Sequence, residues 1–145
     1  MIAAIIIATF FTMEGVAWFT HKYVMHGFMW YFHKDHHTHE NEGPFEKNDF
    51  FFLIFALPGM TLIGLGTFAG MDIALAIGIG ITIYGFAYFM VHDIFIHQRI
   101  KIFRNARGRY LKGIRRAHKV HHKHLGKHDG ECFGMLWVPV KYFKK

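Results

Sequence analysis

The chain has 145 residues, of which 52% are hydrophobic and only 19% charged, and 17 of them are phenylalanine. This length suits one domain, and the apolar and aromatic content excludes intrinsic disorder. A single cysteine, Cys132, excludes an internal disulfide framework and a cysteine-rich zinc module. The 13 histidines are more than a soluble core would use, because every buried imidazole needs a hydrogen-bond partner.

Charge divides the chain into two unequal parts. Residues 1–91 hold three basic and seven acidic residues, a net charge of −4, whereas residues 92–145 hold fourteen basic and three acidic residues, a net charge of +11. A basic tail is compatible with nucleic-acid binding. The apolar segments favour a face near anionic lipid headgroups instead, and we expect a lipid bilayer rather than a nucleic acid as partner.

Three apolar segments are long enough to cross a bilayer. They cover residues 2–20, 50–69 and 73–91, and Glu14 is the only charged residue in them. Each segment approaches the roughly 20 apolar residues that a hydrocarbon core requires. We interpret the first as a retained span, since it lacks the basic region and the small-residue cleavage site of a signal peptide. The alternative, a soluble three-helix core, is disfavoured by the span lengths and the absence of charge.

The second and third spans are expected to form a helical hairpin, with Gly70 ending one helix in a left-handed cap. Five glycines in these spans indicate close contacts between helices, because small residues let backbones approach: Gly64, Gly66, Gly78, Gly80 and Gly85. All 17 basic residues follow the first or the third span, so the positive-inside rule makes residues 21–49 and 92–145 cytoplasmic. The apolar stretch 133–143 is too short to span and is expected to pack on the helices as an interfacial or re-entrant piece.

The histidines form two matching sets, each following a span. The first comprises His21-x4-His26 and His33-x2-His36-His37, and the second comprises His92-x4-His97 and His118-x2-His121-His122. An α-helix turns about 100° per residue, so we expect the three members of each x2 motif to converge on one point. A separation of five places α-helical side chains about 140° apart. Each x4 pair therefore serves two metals, or lies where the helix widens into a π-turn or ends, and we favour helix ends that enter a shared metal site.

Ten imidazoles on one side of the membrane indicate at least two metal ions, because a structural zinc normally takes four ligands, often with thiolate. Imidazole suits iron, copper, zinc and nickel, so ligand type does not choose among them. His39, His124 and His128 lie outside the pattern. Three carboxylates are candidate supports of the metal site. Glu14 either supports that site or pairs with another helix, and Asp35 and Asp93 either orient neighbouring histidines or cap helices.

Six phrases of the sequence resemble the membrane fatty acid hydroxylase superfamily of non-haem di-iron enzymes, and within it the chain looks like a bacterial-type beta-carotene 3-hydroxylase. The phrases are MHG at 25–27, HKDHH at 33–37, FEKNDF at 45–50, VHD at 91–93 continuing to HQR at 97–99, AHKVHH at 117–122 and CFGMLWVP at 132–139. The resemblance implies an all-α integral membrane protein with three to four membrane helices, forming a single domain over residues 1–145. It also implies that the ten motif histidines ligate two irons on the cytoplasmic side.

The activity that the resemblance implies is hydroxylation of carotenoid beta-ionone rings at C3 with O₂, from beta-carotene through beta-cryptoxanthin to zeaxanthin. The sequence has no Rossmann fingerprint, haem-attachment motif or cysteine cluster, so we expect electrons from a partner such as ferredoxin with its reductase. A basic surface can dock that carrier or contact lipid headgroups; it comprises Arg99, Lys101, Arg104, Arg107 and Arg109. The expected location is the bacterial inner membrane.

Two other functions stay open at this point. One is another oxidase of the same superfamily, acting on a fatty acyl chain, a sterol or the carotenoid C4 position. The other is a non-catalytic membrane protein that binds metal or haem. The clustering of the histidines at one membrane boundary disfavours a transporter, whose ligands lie near mid-bilayer.

Overall fold

The computed structural model is helical throughout the residues that it describes, which are 1–38, 43, 45–105 and 108–144, and no strand occurs among them. Five α-helices follow one another in the chain: α1 (Ile2–Phe19), α2 (Trp30–Thr38), α3 (Phe50–Ala69), α4 (Asp72–Phe89) and α5 (Arg109–His121). Two π-helices, Thr20–Phe28 and Met90–Ile96, continue α1 and α4. Short 3₁₀ turns cover Lys47–Asp49 and Val140–Phe143. The predicted all-α class is confirmed.

Three continuous helical stretches are long and apolar enough to cross a membrane: Ile2–Phe28, Lys47–Ala69 and Asp72–Ile96. At most 28% of the residues in each apolar stretch are buried inside the protein, so most of these side chains face outwards, as lipid-exposed residues do. The three predicted spans are confirmed, and the π-helices extend the first and the third of them to Phe28 and Ile96. The chain is an integral membrane protein.

Glycines set the packing of the three membrane helices. Gly70 ends α3 with φ 69° and ψ 25°, the predicted left-handed cap. A Cβ at Gly66 would overlap Leu75, and one at Gly78 would lie 2.8 Å from the Gly59 carbonyl oxygen, so α3 and α4 touch through their backbones.

The first membrane helix packs on α4 in the same way. A Cβ at Gly80 would lie 2.6 Å from Thr9 Cβ on α1, so α4 lies between α1 and α3. The prediction is wrong for Gly64 and Gly85, which face away from the other helices, so that a Cβ at either residue would have no neighbouring atom within 4 Å.

A small apolar core joins the end of α4 to α5 and the end of the chain. It consists of Phe95, Ile114, Ala117, Val138 and Tyr142. The Arg115 guanidinium lies 4.1 Å from the Phe95 ring centroid and donates a 3.0 Å hydrogen bond to the Phe95 carbonyl oxygen. These contacts hold the histidine-bearing helix α5 against the π-helix Met90–Ile96.

The segment after α5 returns to the first membrane helix, as expected for an interfacial or re-entrant piece. Glu14 Oε1 accepts the backbone N–H groups of Met135, Leu136 and Trp137, each at 2.9 Å. The other carboxylate oxygen, Glu14 Oε2, accepts the Tyr84 hydroxyl of α4 at 2.8 Å. Of the two alternatives for Glu14, pairing with another helix is therefore observed, together with anchoring of the C-terminal segment.

Candidate metal centre

Three members of the two x4 pairs, His21, His26 and His92, lie on the π-helices, and His97 directly follows the second of them. The His97 N–H bonds to the His92 carbonyl oxygen at 2.9 Å and the Met29 N–H bonds to that of Val24 at 3.0 Å, both across five residues. This wider turn brings residues i and i+5 towards the same face, so the rings of His21 and His26 lie 5.3 Å apart and those of His92 and His97 4.5 Å apart. A widened helix therefore explains both spacings, and the favoured helix end is present as well, since His97 directly follows the last residue of the second π-helix. Gly27 breaks the helical path only after His26 (φ −104°, ψ −124°).

Nine of the ten predicted histidines gather into two groups whose nitrogen atoms lie within 4.8 Å of one another in each group. Site 1 comprises His21, His26, His33, His37 and His121, all of them buried. Site 2 comprises His36, His97, His118 and His122. The tenth histidine, His92, lies beside site 2, with its Nε2 3.1 Å from the Nε2 of His36.

The members of each x2 motif do not converge on one point, so that prediction is wrong. His33 and His37 belong to site 1 and His36 belongs to site 2. On an α-helix, residue i+4 is displaced by about 40° from residue i, whereas residue i+3 is displaced by about 60° in the opposite direction. These offsets allow the first and last members of a motif to share a site while the middle member reaches the other.

The second x2 motif, His118-x2-His121-His122, is divided in the same way but with the two sites exchanged. His118 and His122 belong to site 2, and His121 belongs to site 1. Consequently α2 and α5 each supply ligand candidates to both sites, and neither helix can move without disturbing both.

In each imidazole of site 1, Nε2 faces the other histidines, and Nδ1, here called the outer nitrogen, faces away from them. The outer nitrogen of four of these imidazoles donates to a backbone carbonyl oxygen. The Nδ1 atoms of His21, His26, His37 and His121 lie 3.0, 3.1, 3.0 and 2.9 Å from the carbonyl oxygens of Phe133, Lys127, His124 and Glu131. A carbonyl oxygen only accepts hydrogen bonds, so Nδ1 bears the proton in these rings. Each Nε2 then presents a lone pair to the interior of site 1.

These lone pairs face one another at short range. The Nε2 atoms of His26 and His121 lie 3.2 Å apart, and that of His33 lies 3.1 Å from His21 and 3.2 Å from His37. The outer nitrogen of His33 donates to Asn48 Oδ1 at 2.7 Å. Two lone pairs cannot form a hydrogen bond.

Protonation of the imidazoles does not relieve the repulsion between these facing lone pairs. Burial lowers the pKa of His33 well below its ordinary value and lowers the pKa of His121 to about 3, so both imidazoles are neutral near pH 7. A metal cation between the Nε2 atoms would relieve the repulsion, because each lone pair could bind the cation. Two imidazole nitrogens about 2.1 Å from one ion and at right angles to each other lie about 3.0 Å apart, which matches the observed separations. The donor set of site 1 therefore fits a bound metal ion.

Site 2 repeats the close approach of Nε2 atoms, but its outer contacts differ: His36 and the neighbouring His92 donate to carboxylates, and the buried Nδ1 of His118 has no hydrogen-bond partner among the described residues. His36 Nδ1 donates to Glu46 Oε2 at 2.7 Å and His92 Nδ1 to Asp93 Oδ2 at 3.2 Å. The Nε2 of His118 lies 2.8 Å from that of His97 and 2.9 Å from that of His122. Burial, reinforced by neighbouring imidazoles, lowers the pKa of His36 and His118 well below the ordinary value. Site 2 is thus a second cluster of imidazole nitrogens that fits a metal ion.

The three predicted supporting carboxylates have different contacts. Asp93 contacts His92, as described above, and Glu14 holds the segment that contains Phe133. Asp35 instead accepts the backbone N–H of Lys47 at 2.7 Å, so it joins α2 to the 3₁₀ turn.

Two contacts of the imidazoles were not predicted. Glu46 and Asn48 bond to His36 and His33 from the FEKNDF phrase, between α2 and α3. The available signal was the presence of polar side chains directly before an apolar span.

The predicted basic docking surface is only partly available. Arg99 lies inside a carboxylate cluster, 2.8 Å from Asp49, 3.1 Å from Glu46 and 3.3 Å from Asp93. Arg109 Nε donates to the Phe143 carbonyl oxygen at 3.3 Å. Lys101 and Arg104 are exposed, and Arg107 lies outside the described residues.

Among the described residues, neither histidine outside the pattern joins a metal site. His124 contributes only its backbone carbonyl to the centre, to which His37 Nδ1 donates, and the His128 side chain is exposed. His39 lies outside the described residues.

Two adjoining cavities, of about 340 and 330 Å³, lie between α1 and the C-terminal segment. They share Trp18, Gly134 and Trp137 as lining residues, and Phe133 lines the first. The Phe133 ring also lies 5.2 to 5.5 Å from the rings of three site 1 histidines, His21, His26 and His121. A side chain that lines the cavity thus also contacts site 1.

Comparison with known proteins gives a consistent result. The fatty acid hydroxylase family model matches residues 6–140. A beta-carotene hydroxylase of Pseudescherichia vulneris is 43% identical over 134 residues, which are 92% of this chain and 75% of that protein. A beta-carotene hydroxylase of Pantoea ananas is 42% identical over 137 residues, which are 94% of this chain and 77% of that protein.

Plant proteins are also similar to this chain. A chloroplastic beta-carotene 3-hydroxylase of an Oncidium hybrid cultivar is 35% identical over 127 residues, which are 86% of this chain and 41% of that protein. No solved structure shows significant similarity. Since the family model matches most of the chain, the chain belongs to the fatty acid hydroxylase family.

Proposed function

We propose that this protein is a membrane monooxygenase that hydroxylates carotenoid beta-ionone rings at C3, converting beta-carotene through beta-cryptoxanthin to zeaxanthin. The named activities of its bacterial and plant relatives support this function. The observation on which the proposal chiefly rests is the pair of buried imidazole clusters whose lone pairs face one another. Each turnover inserts one oxygen atom of O₂ into a C–H bond and, with two electrons and two protons, reduces the other atom to water.

The ten histidines are proposed to hold two irons, one in site 1 and one in site 2, with His92 completing the second set. Bound iron supplies the redox chemistry that hydroxylation of an unactivated C–H bond with O₂ requires. The chain keeps the imidazoles neutral by burial and fixes their orientation by the outer hydrogen bonds of Nδ1. Both effects keep Nε2 available for the metal.

The substrate is proposed to enter from the lipid through the cavities between α1 and the C-terminal segment. Their lining includes the rings of Trp18, Phe133 and Trp137, which suit a flat polyene and its cyclic end group. The allylic C4–H bond of the ring is weaker than the C3–H bond. Selectivity for C3 therefore requires rigid placement, since a misplacement of about 1 Å changes rates greatly.

The electrons are proposed to come from an acidic carrier such as ferredoxin, with its reductase. Exposed Lys101 and Arg104 remain suitable for docking it. The distribution of basic residues favours the bacterial inner membrane with the metal centre on its cytoplasmic side.

Expression in carotene-producing cells followed by pigment analysis tests this function. We expect zeaxanthin from the native chain and unchanged carotene from His36→Ala and His121→Ala, with membrane insertion retained in both. His128→Ala, at an exposed histidine outside both sites, is the matched control and should keep activity. A C4 ketone, unchanged carotene from the native chain, or a haem Soret band in the purified protein would contradict the proposal.

A further inference from the structure

The two sites differ in the groups that contact the outer nitrogens of their imidazoles. In site 1 the acceptors are neutral: four backbone carbonyl oxygens and the side-chain amide of Asn48. In site 2 and its neighbour His92, the acceptors of His36 and His92 are the carboxylates of Glu46 and Asp93. Site 1 gathers five imidazoles and site 2 four, with His92 beside site 2, 3.1 Å from His36.

Arg99 fixes both of these carboxylates. Its guanidinium lies 3.1 Å from Glu46 Oε2, the same oxygen that accepts from His36, and 3.3 Å from Asp93 Oδ1. It also lies 2.8 Å from Asp49, whose other carboxylate oxygen accepts the Glu46 backbone N–H at 3.0 Å. The side chains are only 14 to 30% exposed, so solvent screens these charges incompletely. Three carboxylates around one guanidinium leave a net negative charge beside site 2.

This difference changes the strength of the ligands. An imidazole that donates its outer N–H to a carboxylate is a stronger base at its other nitrogen than one that donates to a neutral oxygen. Net negative charge also stabilises a cation nearby and favours its more oxidised form. Both effects act on site 2 through His36 and the neighbouring His92, although the buried Nδ1 of His118 has no acceptor in the described part of the chain, whereas site 1 has only neutral contacts of this kind.

We propose that the two metal sites are unequal, with site 2 binding a divalent ion more tightly than site 1 because Glu46 and Asp93, positioned by Arg99, contact its imidazoles. The proposal rests on the two-metal function above. Arg99 is a positioning residue, because its guanidinium contacts the carboxylates of Glu46 and Asp93, which in turn contact the imidazoles.

Titration of the metal-free, full-length protein in detergent with Co²⁺, followed by visible absorption, tests the inequality without measuring turnover. We expect two binding steps of different affinity. His97→Ala should remove the tighter step and His37→Ala the weaker one, which assigns each step to its site. The opposite assignment, or two steps of equal affinity, would overturn the proposal.

Two isosteric substitutions exchange the outer contacts. Glu46→Gln removes the carboxylate from His36 and should weaken the tighter step by about 10- to 100-fold, with the weaker step unchanged. Asn48→Asp gives His33 a carboxylate and should strengthen the weaker step. Asp72→Asn, an exposed carboxylate-to-amide change at the start of α4, is the control and should alter neither step. Equal weakening of both steps by Glu46→Gln would overturn the asymmetry.

Variants at position 99 separate positioning from folding. Arg99→Gln should weaken the tighter step, because the loss of the positions of Glu46 and Asp93 outweighs the added negative charge. Arg99→Lys should restore part of this loss, because the ammonium still attracts the carboxylates but cannot make the three-way contact. Identical losses in Arg99→Lys and Arg99→Gln on both steps would show that Arg99 acts only through folding. A native protein that binds fewer than two Co²⁺ ions would overturn the proposed two-metal function itself, whereas two equal sites would overturn only this inference.

Discussion

Glu14, which lies on the membrane helix α1, accepts four hydrogen bonds, and Glu14→Ala would remove the acceptor of all four. Three donors are the backbone N–H groups of Met135, Leu136 and Trp137, and the fourth is the Tyr84 hydroxyl. A buried donor without a partner costs about 1–3 kcal/mol. Of the three donors in the C-terminal segment only Met135 is buried, so we expect a loss of about 1–3 kcal/mol in the attachment of that segment. The buried Tyr84 hydroxyl adds a loss of similar size to the contact between α1 and α4.

Detachment of the C-terminal segment would also disturb the orientation of the imidazoles in site 1. The segment supplies the carbonyl oxygens of Glu131 and Phe133, which orient His121 and His21. Loss of such outer contacts typically reduces metal affinity by about 10- to 100-fold. We therefore expect Glu14→Ala to weaken metal binding at site 1 by that factor, while site 2 keeps its carboxylate contacts and its affinity.

Limited proteolysis and Co²⁺ titration of the purified variant measure both effects. Glu14→Ala should expose the chain after residue 131 to chymotrypsin, whereas Glu14→Gln keeps one acceptor oxygen and should show a smaller change. Thr61→Ala is the matched control, because that exposed hydroxyl donates only to Leu57 of its own helix at 2.9 Å. Native protease resistance together with native site 1 affinity in Glu14→Ala would refute the reasoning.

Three further outcomes are expected. Gly78→Ala should destabilise the α3–α4 packing by about 1–3 kcal/mol, because its Cβ would lie 2.8 Å from a backbone oxygen. Gly85→Ala is the control, because a Cβ there would enter open space. Thermal unfolding in detergent compares the two variants, and equal unfolding midpoints would contradict the described packing. Gly134→Ala should loosen the C-terminal segment and lower hydroxylation, because its Cβ would lie 2.5 Å from the Trp137 carbonyl oxygen; native pigment yields would show that the segment adapts. Removal of metal with a chelator should abolish hydroxylation and Fe²⁺ should restore it; activity that persists in the metal-free protein would contradict a metal-dependent reaction.

Much of the architecture follows from the sequence because membrane spans are dictated by length and apolarity alone. The three predicted spans match three membrane-capable helices, and the repeated spacing identified histidines that the fold brings together. Spacing alone did not divide His33, His36 and His37 between two sites. That division depends on how α2 and α5 face each other, which is a tertiary property.

The hydrogen bonds of the outer imidazole nitrogens could not be predicted from the sequence, for a different reason. Most acceptors in site 1 are backbone carbonyl oxygens, and every residue has one, so no residue type marks Phe133 or Lys127 as a partner. The π-helices also could not be chosen from a spacing of five, because a helix end would satisfy that spacing equally well. The contact between residues i and i+5 decides the matter.

Arg99 illustrates how charge in a sequence can be misread. The sequence placed it on a basic surface for an electron carrier, because many basic residues follow it. In the structure it is surrounded by carboxylates from the chain before α3 and from the π-helix that follows α4. A basic side chain near three acidic ones in space therefore has a structural role that its neighbours in sequence conceal.

The most direct test of the account is the number of iron ions that the full-length protein binds, measured by elemental analysis after reconstitution with ⁵⁷Fe²⁺ and resolved by Mössbauer spectroscopy. The account predicts two iron ions per chain in the native protein, and loss of one ion in His37→Ala and of the other in His97→Ala. A single ion per chain, or the same ion lost from both variants, would contradict it.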